Sequence, residues 1–305
     1  MNRNSINQKQ LTGIIECFRK LMEYNRAQGK IYQFRAYQNA VLKLSKEDIS
    51  KSIYEISKIE GFGKGMIGKI QEYIATGQMK KLENMKKNSR LTSLVELTSV
   101  YGIGPIFAKK LLNSGIINIS QLKKSDVHLT DAQKLGLEYY DDLQIRIPKK
   151  IAEKIVLKIK KILGFEIELM GGYRTGKIDG KDIDIIIITS ELVSNIIEKL
   201  NKYIVAVIES GKQMATLFMR FPLCDHIIHL DLRVTSEKTK AFYTLYFGSG
   251  ENFNRKVRKI AKEKGYTLSE HGLKKNGKYI NDDFSTEEKI LKFLNIPYII
   301  PENRL

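Results

Sequence analysis

Two aspartates stand one residue apart just before a run of four isoleucines, and this is the strongest chemical signal in the sequence. Residues 185–188 predict a buried strand because β-branched residues are enriched in strands. Asp182 and Asp184 occupy positions i and i+2 of that strand, so their side chains project to the same face. Two neighbouring carboxylates repel each other, and a cation relieves that repulsion. Mg²⁺ suits such oxygen ligands and completes its shell with substrate phosphates.

A glycine-rich basic loop precedes these aspartates, and a third aspartate follows them in a later strand. The loop contains Gly171, Gly172 and Arg174, and its backbone is predicted to approach a polyphosphate closely. Residues 226–234 alternate as a strand that contains Asp231, which is unusual because aspartate is depleted in strands. Three carboxylates at one site would form the ligand set of a two-metal centre.

Two short Gly-apolar-Gly segments predict further phosphate contacts. Gly-Phe-Gly occupies residues 61–63 and Gly-Ile-Gly occupies residues 102–104, and each opens into an amphipathic helix. Pro105 then falls in the first turn of the second helix, where a proline is tolerated. Such a turn aims backbone N–H groups and a helix N-terminus at a phosphate.

The composition favours a polyanion as the partner. The chain has 305 residues and a net charge of +18, with basic residues spread along its whole length. This distribution indicates contact with a long polyanion through several modules. Cys17 and Cys224 are the only cysteines, which argues against a disulfide framework and favours a reducing compartment. No apolar run approaches the length of a membrane span, so we expect a soluble intracellular protein that is not secreted.

These motifs, taken together, resemble those of the X family of DNA polymerases. Gly-Gly-Tyr-Arg-Thr-Gly-Lys followed by Asp-Ile-Asp is similar to the family's nucleotidyltransferase signature, and the two glycine turns resemble its helix-hairpin-helix modules. Tyr-Phe-Gly-Ser-Gly at 246–250, followed by Phe-Asn and Arg, resembles the segment that selects the nucleotide. The resemblance covers nearly the whole chain in collinear order.

The resemblance implies a multidomain α+β fold. It implies a helical lyase-like domain with the first hairpin at 1–84, and a helical DNA-binding subdomain with the second hairpin at 85–148. A nucleotidyltransferase palm, a mixed β-sheet with helices, would follow at 149–237. A small α/β subdomain for nucleotide selection would occupy 238–305.

The activity that the resemblance implies is DNA-directed DNA synthesis with dNTP as the substrate. Asp182 and Asp184 would bind both of two Mg²⁺ or Mn²⁺ ions, and Asp231 would bind the catalytic ion and accept the proton of the 3′-hydroxyl. The residues implied near the incoming nucleotide are Arg146, Gly171, Gly172, Lys177, Tyr246, Phe247 and Asn254. Two positions near the nucleotide depart from the family's beta enzyme, since Gly172 replaces a serine and Thr175 replaces an arginine that contacts phosphate.

Gapped or nicked duplex DNA is the implied partner. The residues implied at DNA are Arg35, Tyr37, Gly61, Gly63, Lys64, Lys81, Gly102, Gly104, Lys109, Arg233 and Arg258. A Na⁺ or K⁺ ion at each hairpin would help to bridge to phosphate. Its ligands would be the backbone carbonyls of Ser57, Ile59, Phe62, Thr98, Val100 and Ile103.

Lys69 matches the Schiff-base lysine of the family's lyase domain. A deprotonated lysine attacks the aldehyde of an abasic sugar 5′-phosphate, and the resulting iminium permits β-elimination. Positive charge from neighbouring lysines would lower its pKa. Gln33, Ser57 and Gly65 stand where the family's beta enzyme has lysines, so we expect the 5′-phosphate to be captured more weakly.

We expect a monomer that fills short gaps in base excision repair, because no interaction module precedes the lyase-like region and no long loop interrupts the palm. Template-independent terminal transfer or end joining is the alternative, since Gly-Gly-Tyr is closer to the terminal transferases. Tyr246 and Phe247 argue against it, because those enzymes carry Gly-Trp there. A non-catalytic DNA-end-binding protein would need only the hairpins, not three aspartates. The expected location is the nucleus or, for a viral protein, a cytoplasmic replication site or the virion.

Overall fold

The computed structural model describes residues 6–45, 52–280 and 282–304. The chain divides into two compact units, Met1–Tyr140 and Asp141–Leu305. The predicted domain boundary after residue 148 lies close to the border between the units, whereas those after residues 84 and 237 lie inside them. The outermost residues of the predicted first and last domains, 1–5 and 305, lie outside the described residues.

The first unit is built from helices. They are α1 (Gln8–Ala27), α2 (Ile31–Leu44), α3 (Ile53–Ser57), α4 (Lys64–Thr76), α5 (Lys80–Lys86), α6 (Ser89–Thr98), α7 (Pro105–Asn113), α8 (Ile119–Lys123) and α9 (Asp131–Glu138). Helix α1 begins at a capping box in which Asn7 and Gln10 exchange hydrogen bonds between side chain and backbone. A single apolar cluster contains Phe18, Leu82 and Leu94. This shared core explains why the predicted boundary after residue 84 falls inside the unit.

The second unit begins with a short helix, α10 (Tyr140–Gln144), at the border, and is organised around a mixed sheet. Its first strands are β1 (Ile147–Pro148), β2 (Glu166–Leu169), β3 (Asp179–Gly180), β4 (Asp182–Ile188), β5 (Ile204–Ser210), β6 (Met214–Met219) and β7 (Ile228–Thr235). The helices between them are α11 (Lys149–Leu163), α12 (Gly171–Arg174) and α13 (Val193–Leu200), with a 3-10 turn at Asn201–Tyr203. Five strands form one sheet in the order β2-β4-β7-β6-β5. Only the β4–β7 pair in that sheet is parallel.

The two faces of this sheet have different chemistry because side chains alternate along each strand. Ile183, Ile185 and Ile187 of β4 are buried in one core with α11 and α13. Asp182 and Asp184 project to the opposite face, away from that core. The four consecutive isoleucines therefore serve two cores, since Ile186 and Ile188 pack with Met170 and Tyr243 on the face that carries the aspartates.

The remaining part of the second unit is a smaller α/β assembly. It contains α14 (Lys240–Phe247), α15 (Glu251–Glu263), β8 (Tyr266–Ser269), β9 (Gly272–Lys275), β10 (Lys278–Tyr279), α16 (Glu287–Phe293) and a 3-10 turn at Pro301–Asn303. Its three strands form an antiparallel sheet, and its apolar core includes Phe253, Leu273 and Leu291. The predicted α+β fold class is confirmed. Among the helices in the described ranges, none is both long and apolar enough to cross a membrane.

An arginine near the end of the chain anchors this part. The Arg304 side chain is fully buried, and its guanidinium donates hydrogen bonds to the carboxylate of Glu287 and the carbonyl of Ile299. Glu287 also accepts two hydrogen bonds from Arg174, at 3.2 and 2.5 Å. One buried carboxylate therefore lies between two guanidinium groups, which is the pairing that a buried charge requires.

Substitution of Arg304 should destabilise the C-terminal part of the second unit. Arg304→Met keeps apolar bulk but removes one partner of a buried pair, so we expect the free energy of unfolding there to fall by about 3 kcal/mol. Arg255→Met changes an exposed arginine of α15 and should shift it by less than about 0.5 kcal/mol. Hydrogen exchange of peptides from α14 to α16 measures both. Equal exchange in the two variants would contradict the anchoring role.

Candidate active site

The three aspartates lie on one sheet face in rows set by strand pairing. In the parallel pair of β4 and β7, Asp184 is the register partner of Asp231, and Asp182 is the partner of His229. On the other side of β7, Thr216 of β6 is the partner of Asp231. Register partners project to the same face of a sheet. A polar row of Asp184, Asp231 and Thr216 therefore crosses three adjacent strands.

The environment shifts the pKa values of Asp184 and Asp231 in opposite directions. Burial, followed by the charges of Asp182 and Asp231, raises the pKa of Asp184 to about 7. For Asp231, burial acts in the same direction, but contacts with His229 and Thr216 outweigh it and hold the pKa below its ordinary value. The Thr216 hydroxyl donates to Oδ1 of Asp231 at 2.5 Å, and Nε2 of His229 lies 3.5 Å from Oδ2.

A divalent cation fits this row of side chains. Its charge would relieve the repulsion that raises the pKa of Asp184, and carboxylate oxygens are ligands that Mg²⁺ and Mn²⁺ accept. Across the residues that the structure describes, no three His, Cys, Asp or Glu side chains already stand in a metal-holding group. The aspartates thus form an open row on the sheet rather than a closed cage.

The glycine loop packs directly on this row. A Cβ at Gly171 would stand 1.9 Å from Oδ2 of Asp184, and Gly171 also has a positive φ of 58°. A Cβ at Gly172 would stand 2.4 Å from Cδ of Lys177. The stem of Lys177 therefore lies across the loop backbone, and its positive charge lowers the pKa of Asp184 against the larger raising effects. A glycine at 172 gives this lysine the space that a serine would fill.

Arg146 is engaged with an acidic partner next to the loop. Its guanidinium donates to the Asp179 carboxylate at 2.7 Å and to the Asp179 carbonyl at 3.0 Å. Tyr173 supports the same corner, because its buried hydroxyl donates to the carbonyl of Ile147 at 2.8 Å. The Arg146 bonds hold the start of β1 against β3, and the Tyr173 bond joins β1 to α12.

The residues predicted to select the nucleotide form one cluster. The rings of Tyr246 and Phe247 lie edge to face with centroids 4.9 Å apart. The guanidinium of Arg233 lies 5.2 Å from the Phe247 ring, and that of Arg258 lies 5.4 Å from the Tyr246 ring. Asn254 donates from its amide to the Tyr246 carbonyl at 2.7 Å. Cation–π contacts thus link β7 to α14, and α15 to α14.

The sequence did not reveal the bridge between the loop and the C-terminal part. Arg174 of α12 reaches Glu287 of α16 and also donates to the carbonyl of Gly248 at 3.0 Å. A Cβ at Gly248 would stand 2.6 Å from Cδ of Arg174, so a glycine at this position makes room for the arginine. Glu287 gave no signal of its own, because a glutamate in the first turn of a helix is ordinary.

The two Gly-apolar-Gly turns of the first unit share one backbone geometry. The first glycine has a positive φ in each, 93° at Gly61 and 78° at Gly102. The N–H of the apolar residue, Phe62 or Ile103, donates to the carbonyl three residues earlier at 3.1 Å in both turns. Both apolar side chains are buried, and α4 and α7 begin directly after Gly63 and Gly104.

The carbonyls predicted to hold a monovalent ion occupy equivalent places in the two turns. Ser57 is the last residue of α3 and Thr98 is the last residue of α6. Ile59 and Val100 accept the N–H bonds that close the turns. A carbonyl oxygen has two lone pairs, so each of these groups can still accept a second partner.

Lys69 lies on α4 beside a second lysine. Its ammonium donates to the Gly65 carbonyl at 2.6 Å. Burial, followed by the charge of Lys81, lowers the pKa of Lys69, while Glu72 acts in the opposite direction. The ammonium of Lys81 lies 5.8 Å from the ring centroid of Tyr37, whose own ring is buried. Lys81 therefore lies close to both Lys69 and Tyr37, the residues predicted at the lyase site and at DNA.

The other predicted DNA contacts of the first unit differ in exposure. Lys64 and Lys109 are exposed on α4 and α7, the helices that follow the two turns. Arg35 is half-buried on α2. Tyr37 packs in the core against Phe18, with ring centroids 5.5 Å apart. Its aromatic face is therefore a structural contact, which the sequence pattern alone did not indicate.

Comparison with known proteins finds two matched segments and two relatives that align along most of the chain. A family model for the DNA polymerase beta thumb matches residues 243–305, and one for the fingers domain of DNA polymerase lambda matches residues 95–144. DNA polymerase lambda of Arabidopsis thaliana is 26% identical over 325 aligned residues, covering 95% of this chain and 61% of the relative. That of Rattus norvegicus is 27% identical over 322, covering 95% and 56%. The chain therefore spans roughly three fifths of the length of these relatives.

Gly171→Ala should disturb the carboxylate row, and Gly164→Ala provides a matched control. Gly164 has a positive φ of 73° after α11, and a Cβ there meets nothing within 4 Å. Both variants carry backbone strain of about 1–2 kcal/mol, but only Gly171→Ala displaces Asp184. We expect about tenfold weaker Mn²⁺ binding in Gly171→Ala alone, measured from the free-ion signal in electron paramagnetic resonance. Equal Mn²⁺ affinity in both variants would show that the loop does not position Asp184.

Proposed function

We propose that this chain, which is homologous to DNA polymerase lambda of the X family along 95% of its length, is a DNA-directed DNA polymerase. It would transfer a nucleoside monophosphate from dNTP to a DNA 3′-hydroxyl and release pyrophosphate. The predicted family resemblance is confirmed by the homology. The observation that carries the proposal is the placing of Asp182, Asp184 and Asp231 on one sheet face beside a glycine loop with a lysine across it.

Divalent metal dependence follows from the homology in general terms, and we propose Mg²⁺ or Mn²⁺ as the ions. Asp182, Asp184 and Asp231 would hold them. Such ions neutralise the charge that develops on the transferred phosphoryl group and favour the ionised 3′-hydroxyl. The chain's part is to hold three carboxylates on one face, which the β4–β7 register achieves.

Residues around the row would bind and orient the nucleotide. Lys177 carries its positive charge over the loop, where a triphosphate would approach the backbone, and Arg146 adds a second charge after a change of partner from Asp179. Tyr246 and Phe247 would press on the sugar, where a ribose 2′-hydroxyl would clash. The Arg258 guanidinium lies over the Tyr246 ring and supports it.

The two hairpins would hold the DNA backbone. Their matching turns present N–H groups and helix N-termini, as phosphate binding requires. We propose that a Na⁺ or K⁺ ion on the turn carbonyls assists each contact. The net charge of +18 supplies the general attraction to DNA.

We further propose a 5′-deoxyribose phosphate lyase activity at Lys69 and short-gap filling in base excision repair as the setting. The lowered pKa of Lys69 increases the fraction of neutral amine, which is the nucleophile. A polymerase and a lyase in one chain would together process an incised abasic site. We propose that the chain acts as a monomer, in the nucleus or, for a viral protein, at a cytoplasmic replication site or in the virion.

Substitution of the aspartates should separate synthesis from DNA binding. Asp182→Asn and Asp231→Asn should lower primer extension on one-nucleotide-gapped DNA by more than about 100-fold, because even outer partners of metal ligands are worth 10- to 100-fold. DNA affinity should change little, since it comes from Lys and Arg on phosphates. Asp225→Asn, at an exposed loop position before β7, is the control. Near-parental extension by either site variant would refute the assignment. Equal extension on blunt ends and gaps would favour terminal transfer instead.

The lyase proposal predicts that substitutions at two neighbours of Lys69 move the pH midpoint of covalent trapping in opposite directions. Neutral amine increases as pH rises through the lysine pKa, so borohydride trapping on incised abasic DNA should rise with pH. Lys81→Gln removes a charge that lowers this pKa and should move the midpoint up, whereas Glu72→Gln should move it down. Trapping is measured at saturating DNA, and Lys69→Ala should abolish most of it. No shift in either variant, or parental trapping by Lys69→Ala, would mean that another amine reacts.

A further inference from the structure

The carboxylate row ends in a side chain that is not part of the proposed metal set. Thr216 lies in β6, opposite Asp231 of β7, and only 5% of its surface is exposed. Its hydroxyl donates to Oδ1 of Asp231 at 2.5 Å, which is a short bond of the charge-assisted kind. Nothing in the sequence pattern of β6, Met-Ala-Thr-Leu-Phe-Met, marks this threonine as more than a strand former.

We infer that Thr216 is a positioning residue for Asp231, holding its carboxylate in the orientation that the metal and the 3′-hydroxyl need. The inference rests on the proposed polymerase function and adds to it a residue that acts through another. Thr216 would touch neither substrate nor metal.

The need for such a residue follows from the torsional freedom of aspartate. Rotation about the Cβ–carboxylate bond of Asp is broad and roughly two-fold. Asp231 stands beside Asp184 across β4 and β7, so their repulsion favours rotations that separate the two carboxylates. A hydrogen bond from the neighbouring strand opposes this rotation, because β6 holds the donor at a fixed place in the register.

The other oxygen of Asp231 has a different environment. Oδ2 lies 3.5 Å from Nε2 of His229, which is itself packed edge-on against Phe218 with centroids 6.0 Å apart. The hydrogen bond to Thr216 is thus the short contact, and it engages Oδ1. Oδ1 is therefore held by the short bond, and a ligand that reaches Asp231 would bind at Oδ2 in place of the longer contact with His229.

A purely structural role for Thr216 predicts different behaviour. A buried hydroxyl bonded to any acceptor contributes to stability, so its loss would lower the melting temperature and leave the kinetics unchanged. An orienting role predicts a lower kcat and weaker metal binding, with little change in the KM for dNTP. Measurements of kcat, metal affinity and melting temperature therefore distinguish the two roles.

The test uses three variants of the full chain. Thr216→Val keeps the shape and removes the hydroxyl, and Thr216→Ser restores it. Thr244→Val is the matched control, because the Thr244 hydroxyl is buried in α14 without a hydrogen-bond partner among the described residues. Single-turnover and steady-state extension on one-nucleotide-gapped DNA give kcat and KM. Electron paramagnetic resonance of Mn²⁺, without DNA or dNTP, gives metal affinity independently of activity.

We expect Thr216→Val to lower kcat by about 10- to 100-fold and Mn²⁺ affinity by about tenfold, with KM for dNTP within about twofold of the parent. Thr216→Ser and Thr244→Val should stay within about threefold of the parent in both readouts. Parental kcat and Mn²⁺ affinity in Thr216→Val would overturn the inference and leave the proposed function standing. Failure of Thr216→Ser to restore either value would overturn it as well. A parent that extends no primer would overturn the proposed function, and the Mn²⁺ affinities would still decide whether Thr216 orients Asp231.

Discussion

The repulsion among three carboxylates on one sheet face is the constraint on which the second unit depends. The parallel register of β4 and β7 brings Asp184 and Asp231 side by side, and Asp182 lies two residues before Asp184. Burial, followed by the charges of Asp182 and Asp231, raises the pKa of Asp184 to about 7. A fold that accepts this energetic cost without a ligand gains a site that favours a divalent cation.

Neighbouring elements reduce the energetic cost of the repulsion among the carboxylates. Lys177 lies over the glycine loop and Thr216 donates a hydrogen bond from β6, so each of these flanking elements contributes a positive charge or a hydrogen-bond donor. The apolar face of the same strands is buried under α11 and α13, which keeps the register from slipping. A slip of β4 by one residue would turn Asp182 and Asp184 into that apolar core, and a slip of β7 would do the same to Asp231.

The sequence predicted the side chains of the site better than it predicted the contacts that hold them in place. Alternation and β-branched runs were enough to place Asp182 and Asp184 on one strand face, because that periodicity is local. Thr216 and the Glu287–Arg304 pair gave no such signal, since each contact joins residues distant in the chain and depends on register or helix packing. Tyr37 was predicted at DNA, yet its ring lies in the core, because an aromatic residue on a helix carries no local mark of which side it faces.

Anomalous scattering from Mn²⁺ in crystals with gapped DNA and a non-hydrolysable dNTP analogue tests the central claim most directly. Two peaks about 3.5–4 Å apart, both within bonding distance of aspartate oxygens on β4, are the predicted result. Oδ2 of Asp231 should contact one of them, with Oδ1 still bonded to Thr216. Bound nucleotide with Mn²⁺ placed away from Asp182, Asp184 and Asp231 would contradict the claim that this sheet face is the catalytic centre.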